Sequence, residues 1–191
     1  MPDTALWTAT FDALPPLGWA LRKALPDRWL RIHSLPGGQR YPSTPGDLRT
    51  LLARHNAVAT AVLGSGSATV VFAALHTLSA HRRPPACLRA LSLQAAESVP
   101  AVPVEAFDEA DEPGSISFMA APAVWSAGAF DSIIEAIAQD TVADIVFFSA
   151  RTCQVYAPYD GGADLLLINR AARDEAAHTF HTWLSDRADG L

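Results

Sequence analysis

The chain has 191 residues, half of them hydrophobic, and a formal net charge of −6. That length supports one well-buried core and is short for two domains. The acidic balance argues against non-specific nucleic-acid binding, and with no apolar run of about 18 residues no membrane span is expected.

The net charge conceals an asymmetry. Residues 1–89 carry a formal +6 and residues 90–191 a formal −12. Such a split can mark an interaction surface, or the two halves can interleave in one fold and mix their charges in space. Asp3, Asp12 and Pro15-Pro16 interrupt the N-terminus, so no secretory signal is expected. Cys87 and Cys153 lack metal-ligand spacing and read as reduced thiols of a cytoplasmic protein.

Thr4–Leu25 reads as short helices divided by Pro15-Pro16, with Trp7, Phe11, Leu14, Leu17 and Leu21 as the apolar stripe. Arg28–Leu35 alternates as a strand, with Leu30 and Ile32 on one side and Arg31 and His33 on the other. Pro36–Pro42 is a loop. Thr44–Leu63 carries the clearest helix signal: an N-cap at Thr44, Pro45 at the first helical position, Asp47 at capping-box distance and Gly64 as the stop. His55 falls on its apolar face. Ala68–Leu75 reads as a buried strand.

Residues 82–113 hold five prolines and the acidic run Glu105, Asp108, Glu109, Asp111 and Glu112. They read as a surface excursion with one short strand near Leu88–Leu93. Ser115–Ala121 alternates, Ala129–Gln139 is helical, and Asp144–Ser149 suits a central strand. Val155–Ile168 is a β-hairpin whose Asp160-Gly161-Gly162 turn is expected to use positive φ. Asn169 caps a final helix through Leu184. Short turns between strands favour antiparallel neighbours, so the expected fold is a single α+β domain, with a mostly antiparallel, or mixed, sheet and helices packed on it.

Four places could carry chemistry. In the hairpin, Tyr156, Tyr159, Asp160 and Asp164 form a candidate patch for a partner or a cation, although an Asp-Gly turn needs no function to explain it. Around the 36–42 loop, Arg31, His33, Arg40 and Tyr41 combine anion-gripping guanidinium groups with residues favoured at interfaces; an ordinary solvated loop would look the same. His55 is a candidate acid/base with His33, or simply a hydrogen-bonded core histidine. Glu175, His178 and His181 have ligand-like spacing, but Asp174, His178, His181 and Ser185 lie away from the Phe180/Trp183 stripe and face solvent, so no metal and no cofactor are expected. No nucleophile elbow or phosphate-binding glycine loop is present.

The Ile-His-Ser-Leu-Pro…Arg-Tyr stretch, Arg54-His55-Asn56, Pro158-Tyr159-Asp160-Gly161-Gly162-Ala163-Asp164 and the ending Trp183-Leu184-Ser185…Gly190-Leu191 resemble an uncharacterised family of bacterial proteins, from about Arg31 onward. Gly37-Gly38-Gln39 departs from the charged residues expected in that family's loop. The resemblance implies a bacterial cytosolic protein and supplies no activity. The expected function is a non-catalytic protein-interaction module of the inhibitor or immunity type, whose surface includes Arg31, His33, Arg40, Tyr41 and the Tyr156–Asp164 hairpin, with the acidic run as an electrostatic hook. The alternative is a small enzyme acting on an anionic small molecule, with a histidine acid/base and an arginine clamp. The sequence leaves the oligomeric state and the partner open.

Overall fold

The computed structural model describes residues 4–76, 86–103 and 114–187. One sheet is built from β1 (Trp29–His33), β2 (Ala68–His76), β3 (Gln94–Ala95), β4 (Val102–Pro103), β5 (Ser115–Val124), β6 (Ile145–Ser149), β7 (Gln154–Tyr159) and β8 (Gly162–Leu166). Its order is β1-β8-β7-β6-β2-β5-β3, with β4 also beside β5. Every pairing among the described residues is antiparallel, so the fold is α+β and the mixed-sheet alternative falls away.

Helices cover both faces: α1 (Thr4–Phe11), α2 (Gly18–Ala24), α3 (Pro45–Leu63), α4 (Asp131–Ala138) and α5 (Arg170–Thr179). The two faces are separate cores. On one, α3 and α4 bring Leu51, Val58 and Ile134 onto Phe147 and Leu165. On the other, Trp7, Phe11 and Leu21 pack on Phe72, Phe148 and Leu166. Successive strand residues point to opposite faces. Ile145 and Phe147 therefore enter the first core while Val146 and Phe148 enter the second, which is why the central strand β6 is apolar without alternation.

The helix predicted at Thr44 begins as read. The Thr44 side chain accepts from the Asp47 amide while the Asp47 carboxylate accepts from the Thr44 amide, and Gly64 ends the helix at φ 84°. The expected strand at Leu88–Leu93 is not formed. Amides of Arg89 and Leu91 instead bond back to the carbonyls of Ala86 and Leu88, making tight turns, and pairing starts only at Gln94. The acidic run Glu105–Glu112 lies outside the described residues. The final helix stops at Thr179 rather than Leu184; buried Phe180 stacks on Trp183 at 5.2 Å across a tighter turn over His181–Trp183.

The hairpin pairs Tyr159 with Gly162, leaving Asp160 and Gly161 as the loop. Neither loop residue, nor Gly162, adopts the positive φ expected there. Gly162 is required for another reason: a Cβ at that position would collide with the Ile32 carbonyl oxygen of β1. The outer edge of β1 is guarded by side chains. Arg173 Nε donates to the Trp29 carbonyl at 3.3 Å and Arg54 Nη1 to the His33 carbonyl at 3.2 Å. No helix among the described residues is long and apolar enough to cross a membrane.

Candidate functional site

Alternation along β1 puts Trp29, Arg31 and His33 on one face of the sheet. Register against β8 sets Arg31 directly opposite Asp164. The two form a forked ion pair, Nε–Oδ1 2.8 Å and Nη2–Oδ2 3.2 Å, and Trp29 Nε1 donates to the same Oδ1 at 2.9 Å. Asp164 is 4% exposed. A carboxylate so covered is tolerable only with donors of this quality. The Arg31 guanidinium also lies over the Tyr159 ring, 4.7 Å from its centroid.

The 36–42 loop meets the hairpin turn at the same end of the sheet. Arg40 Nε donates to Asp160 Oδ2 at 2.6 Å, and the Tyr41 hydroxyl donates to that oxygen at 3.0 Å. The two segments singled out in the sequence are thus one site. They also show the charge halves interleaving, because Arg31 and Arg40 from the basic half neutralise Asp164 and Asp160 from the acidic half.

Arg31, Arg40, Tyr159, Asp160 and Asp164 line a cleft of about 230 Å³, while Trp29 and Tyr41 bond to its carboxylates from outside the lining. Trp19, at the start of α2, forms part of one wall, and Asp140 and Asp144, on the loop after α4, form part of another. Two arginines face four aspartates in the lining, a formal excess of two negative charges. Asp144 also meets the His76 imidazole, at 3.0 Å. Burial pushes the Tyr159 hydroxyl up to about 12, with Arg31 opposing and Asp164 and Asp160 adding to the rise. The hydrogen bond to Asp160 raises both Arg40 and Tyr41 above their ordinary values. His33 titrates below its ordinary value, first through burial and then through Arg31 and Arg54.

Tyr156 and His55 are not part of this cleft. Residues 156 and 159 are an odd number apart on one strand, so they face opposite sides of the sheet. Tyr156 points into the α3 core, where its hydroxyl lies 2.7 Å from His55 Nδ1; the Ser34 hydroxyl lies 2.7 Å from His55 Nε2. His55 is 1% exposed and Ser34 and Tyr156 are 0% exposed. Both ring nitrogens are satisfied, as in a neutral imidazole with one donor and one acceptor, and burial lowers His55 to about 4. Each member of the Arg54-His55-Asn56 step ties α3 to another element. Arg54 reaches β1 and lies 5.2 Å over Trp183, His55 reaches β7, and Asn56 Nδ2 donates to Asp131 of α4 at 2.7 Å.

Glu175, His178 and His181 do not line the cleft and are exposed on α5 and the turn after it. The two imidazoles stack at 6.4 Å, and no group of three ligand-type residues forms a metal cluster among the described residues. Sequence reasoning missed Trp29, Trp19, Asp140 and Asp144. Trp29 was accessible, since it shares the period-two face of Arg31 and His33. The others reach the cleft only through the packing of α2 and α4.

The model of a domain of unknown function (DUF3885) matches residues 17–188. The chain belongs to the DUF3885 family. The match starts just before α2, upstream of the Arg31 boundary expected from the resemblance, and takes in every strand of the sheet. No curated protein and no solved structure matches the chain.

Proposed function

We propose that this DUF3885 protein is a non-catalytic recognition module and that the cleft between the β1 loop and the hairpin turn is its partner-facing site. The observation that carries the reading is the pairing of both arginines with carboxylates in a lining where carboxylates outnumber them. Arg31 is forked onto Asp164, Arg40 is bonded to Asp160, and the lining as a whole is negative. An arginine clamp for an anionic substrate needs cationic groups in excess, and here they are outnumbered. The acid/base role weighed for His55 is disfavoured by its place in the opposite core, closed to solvent.

An acidic cleft favours a basic partner surface and steers its approach. An inhibitor or immunity-type role that masks a basic protein follows from that complementarity by analogy. A bacterial cytosolic setting rests on the family-like segments and fits the two free cysteines, Cys87 and Cys153.

The test is capture from a lysate of the source cell by tagged wild type and by Ala143→Arg, which places a cation and bulk on an exposed lining position. The reading expects one dominant protein held by wild type at low salt and lost both at high salt and with Ala143→Arg. A dominant protein held equally by both forms refutes the assignment of the cleft.

A further inference from the structure

We infer that the cleft receives the guanidinium group of an arginine side chain from a protein partner, and that Arg40 occupies that position as an internal competitor in the free protein. This rests on the recognition reading above and names the chemistry it recognises.

The cleft already demonstrates its preference. Both cations in its lining are guanidinium groups, one stacked on Tyr159 at 4.7 Å and forked onto Asp164, the other bonded to Asp160. Their standing differs. The Arg31 side chain is 13% exposed and belongs to the fold, whereas the Arg40 side chain is 64% exposed. Asp160, which Arg40 holds, is itself only 11% exposed. A covered carboxylate is therefore gripped by a solvated cation on a loop, a pairing that is worth little to the folded state and is readily exchanged. When Arg40 leaves, Asp160 retains the Tyr41 hydroxyl as a donor.

The remaining geometry suits an incoming arginine. The cleft volume of about 230 Å³ is on the scale of one side chain. Asp140 lines the cleft from an exposed position, and Trp19 supplies an aromatic surface for the aliphatic stem. A planar fork matches paired carboxylates and aromatic faces better than an ammonium does.

The experiment is a proton–nitrogen NMR titration of the purified chain with N-acetyl-arginine methylamide, followed at the Trp19 and Trp29 indoles. It is run on wild type, Arg40→Ala, Arg40→Gln and Asp160→Asn. The inference expects saturable shifts at those indoles, about threefold tighter binding in both Arg40 variants, and loss of binding in Asp160→Asn. Equal affinity in wild type and both Arg40 variants, or shifts away from the cleft, overturns it. Free arginine, whose α-ammonium and α-carboxylate offset one another, is expected to bind no more tightly than the capped form; tighter binding would assign the site to the free amino acid instead of a protein side chain. A partner captured through the cleft without any response to the capped arginine overturns this inference and leaves the recognition reading standing. A response without a captured partner supports the guanidinium site and counts against that reading.

Discussion

Acidification should destabilise this fold through His55 more than through any exposed histidine. The folded state keeps the imidazole neutral, with its pKa lowered from 6.5 to about 4, because it is sealed between Ser34 and Tyr156. The unfolded chain protonates it near the ordinary value. Unfolding therefore takes up a proton between those limits, so stability rises with pH across that window. The contribution is complete above pH 6.5, decreases as the pH falls and levels off below pH 4. A shift of this size corresponds to a loss of about 2 kcal/mol by pH 5 and about 3 kcal/mol by pH 4. Tyr156 stays protonated throughout, since burial holds its hydroxyl well above the usual tyrosine range. The assay is urea denaturation by tryptophan fluorescence at pH 7, 5 and 4, for wild type and His55→Gln. Glutamine offers a donor and an acceptor but does not titrate in this range. Other titrating groups cancel in the difference between the two proteins. His55→Gln should be less stable at pH 7 yet lose markedly less on acidification. Parallel curves for the two proteins would refute a sealed neutral imidazole.

Arg31→Met should cost about 3–5 kcal/mol in the same assay, because it leaves the Asp164 carboxylate buried without its fork. Gly162→Ala should cost about 3 kcal/mol or more, since the Ile32 carbonyl it meets belongs to the β1 backbone and cannot rotate away. Gly161→Ala, whose Cβ would meet the movable Tyr159 ring at 3.2 Å, should cost much less; equal losses would place the strain elsewhere. Thr44→Ala should remove about 1 kcal/mol by deleting the acceptor for the Asp47 amide, and an unchanged midpoint would deny the cap.

What the sequence disclosed depended on how local each cause was. The Thr44-Pro45…Asp47 start of α3 is fixed by residues within one turn, and it was readable. So was β6, where an unbroken apolar run requires cover on both faces. The hairpin was readable as a hairpin, but the positive φ expected of its glycines is not what requires them. Gly162 answers to the backbone of β1, about 130 residues earlier in the chain, and not to its own φ. The site was half visible for the same reason. The Arg31–Tyr41 segment and the Tyr159–Asp164 turn stand out in composition and are expected on one surface, and the β1–β8 register is the physical cause that sets Arg31 opposite Asp164. Tyr156 and Tyr159 share a segment but strand alternation sends them to opposite faces, Tyr156 into the α3 core. Asp140 and Asp144 carry no motif and enter the lining through the loop after α4.

The central claim is that the cleft's field is negative, both of its arginines being paired with carboxylates that outnumber them. The most direct test is to titrate purified protein with inorganic phosphate and with succinate at low salt, following the Trp19 and Trp29 indole signals. No saturable response at either indole is the predicted result. Saturable anion binding in the cleft, abolished by Arg40→Ala, would contradict the account and revive an enzyme that clamps an anionic substrate.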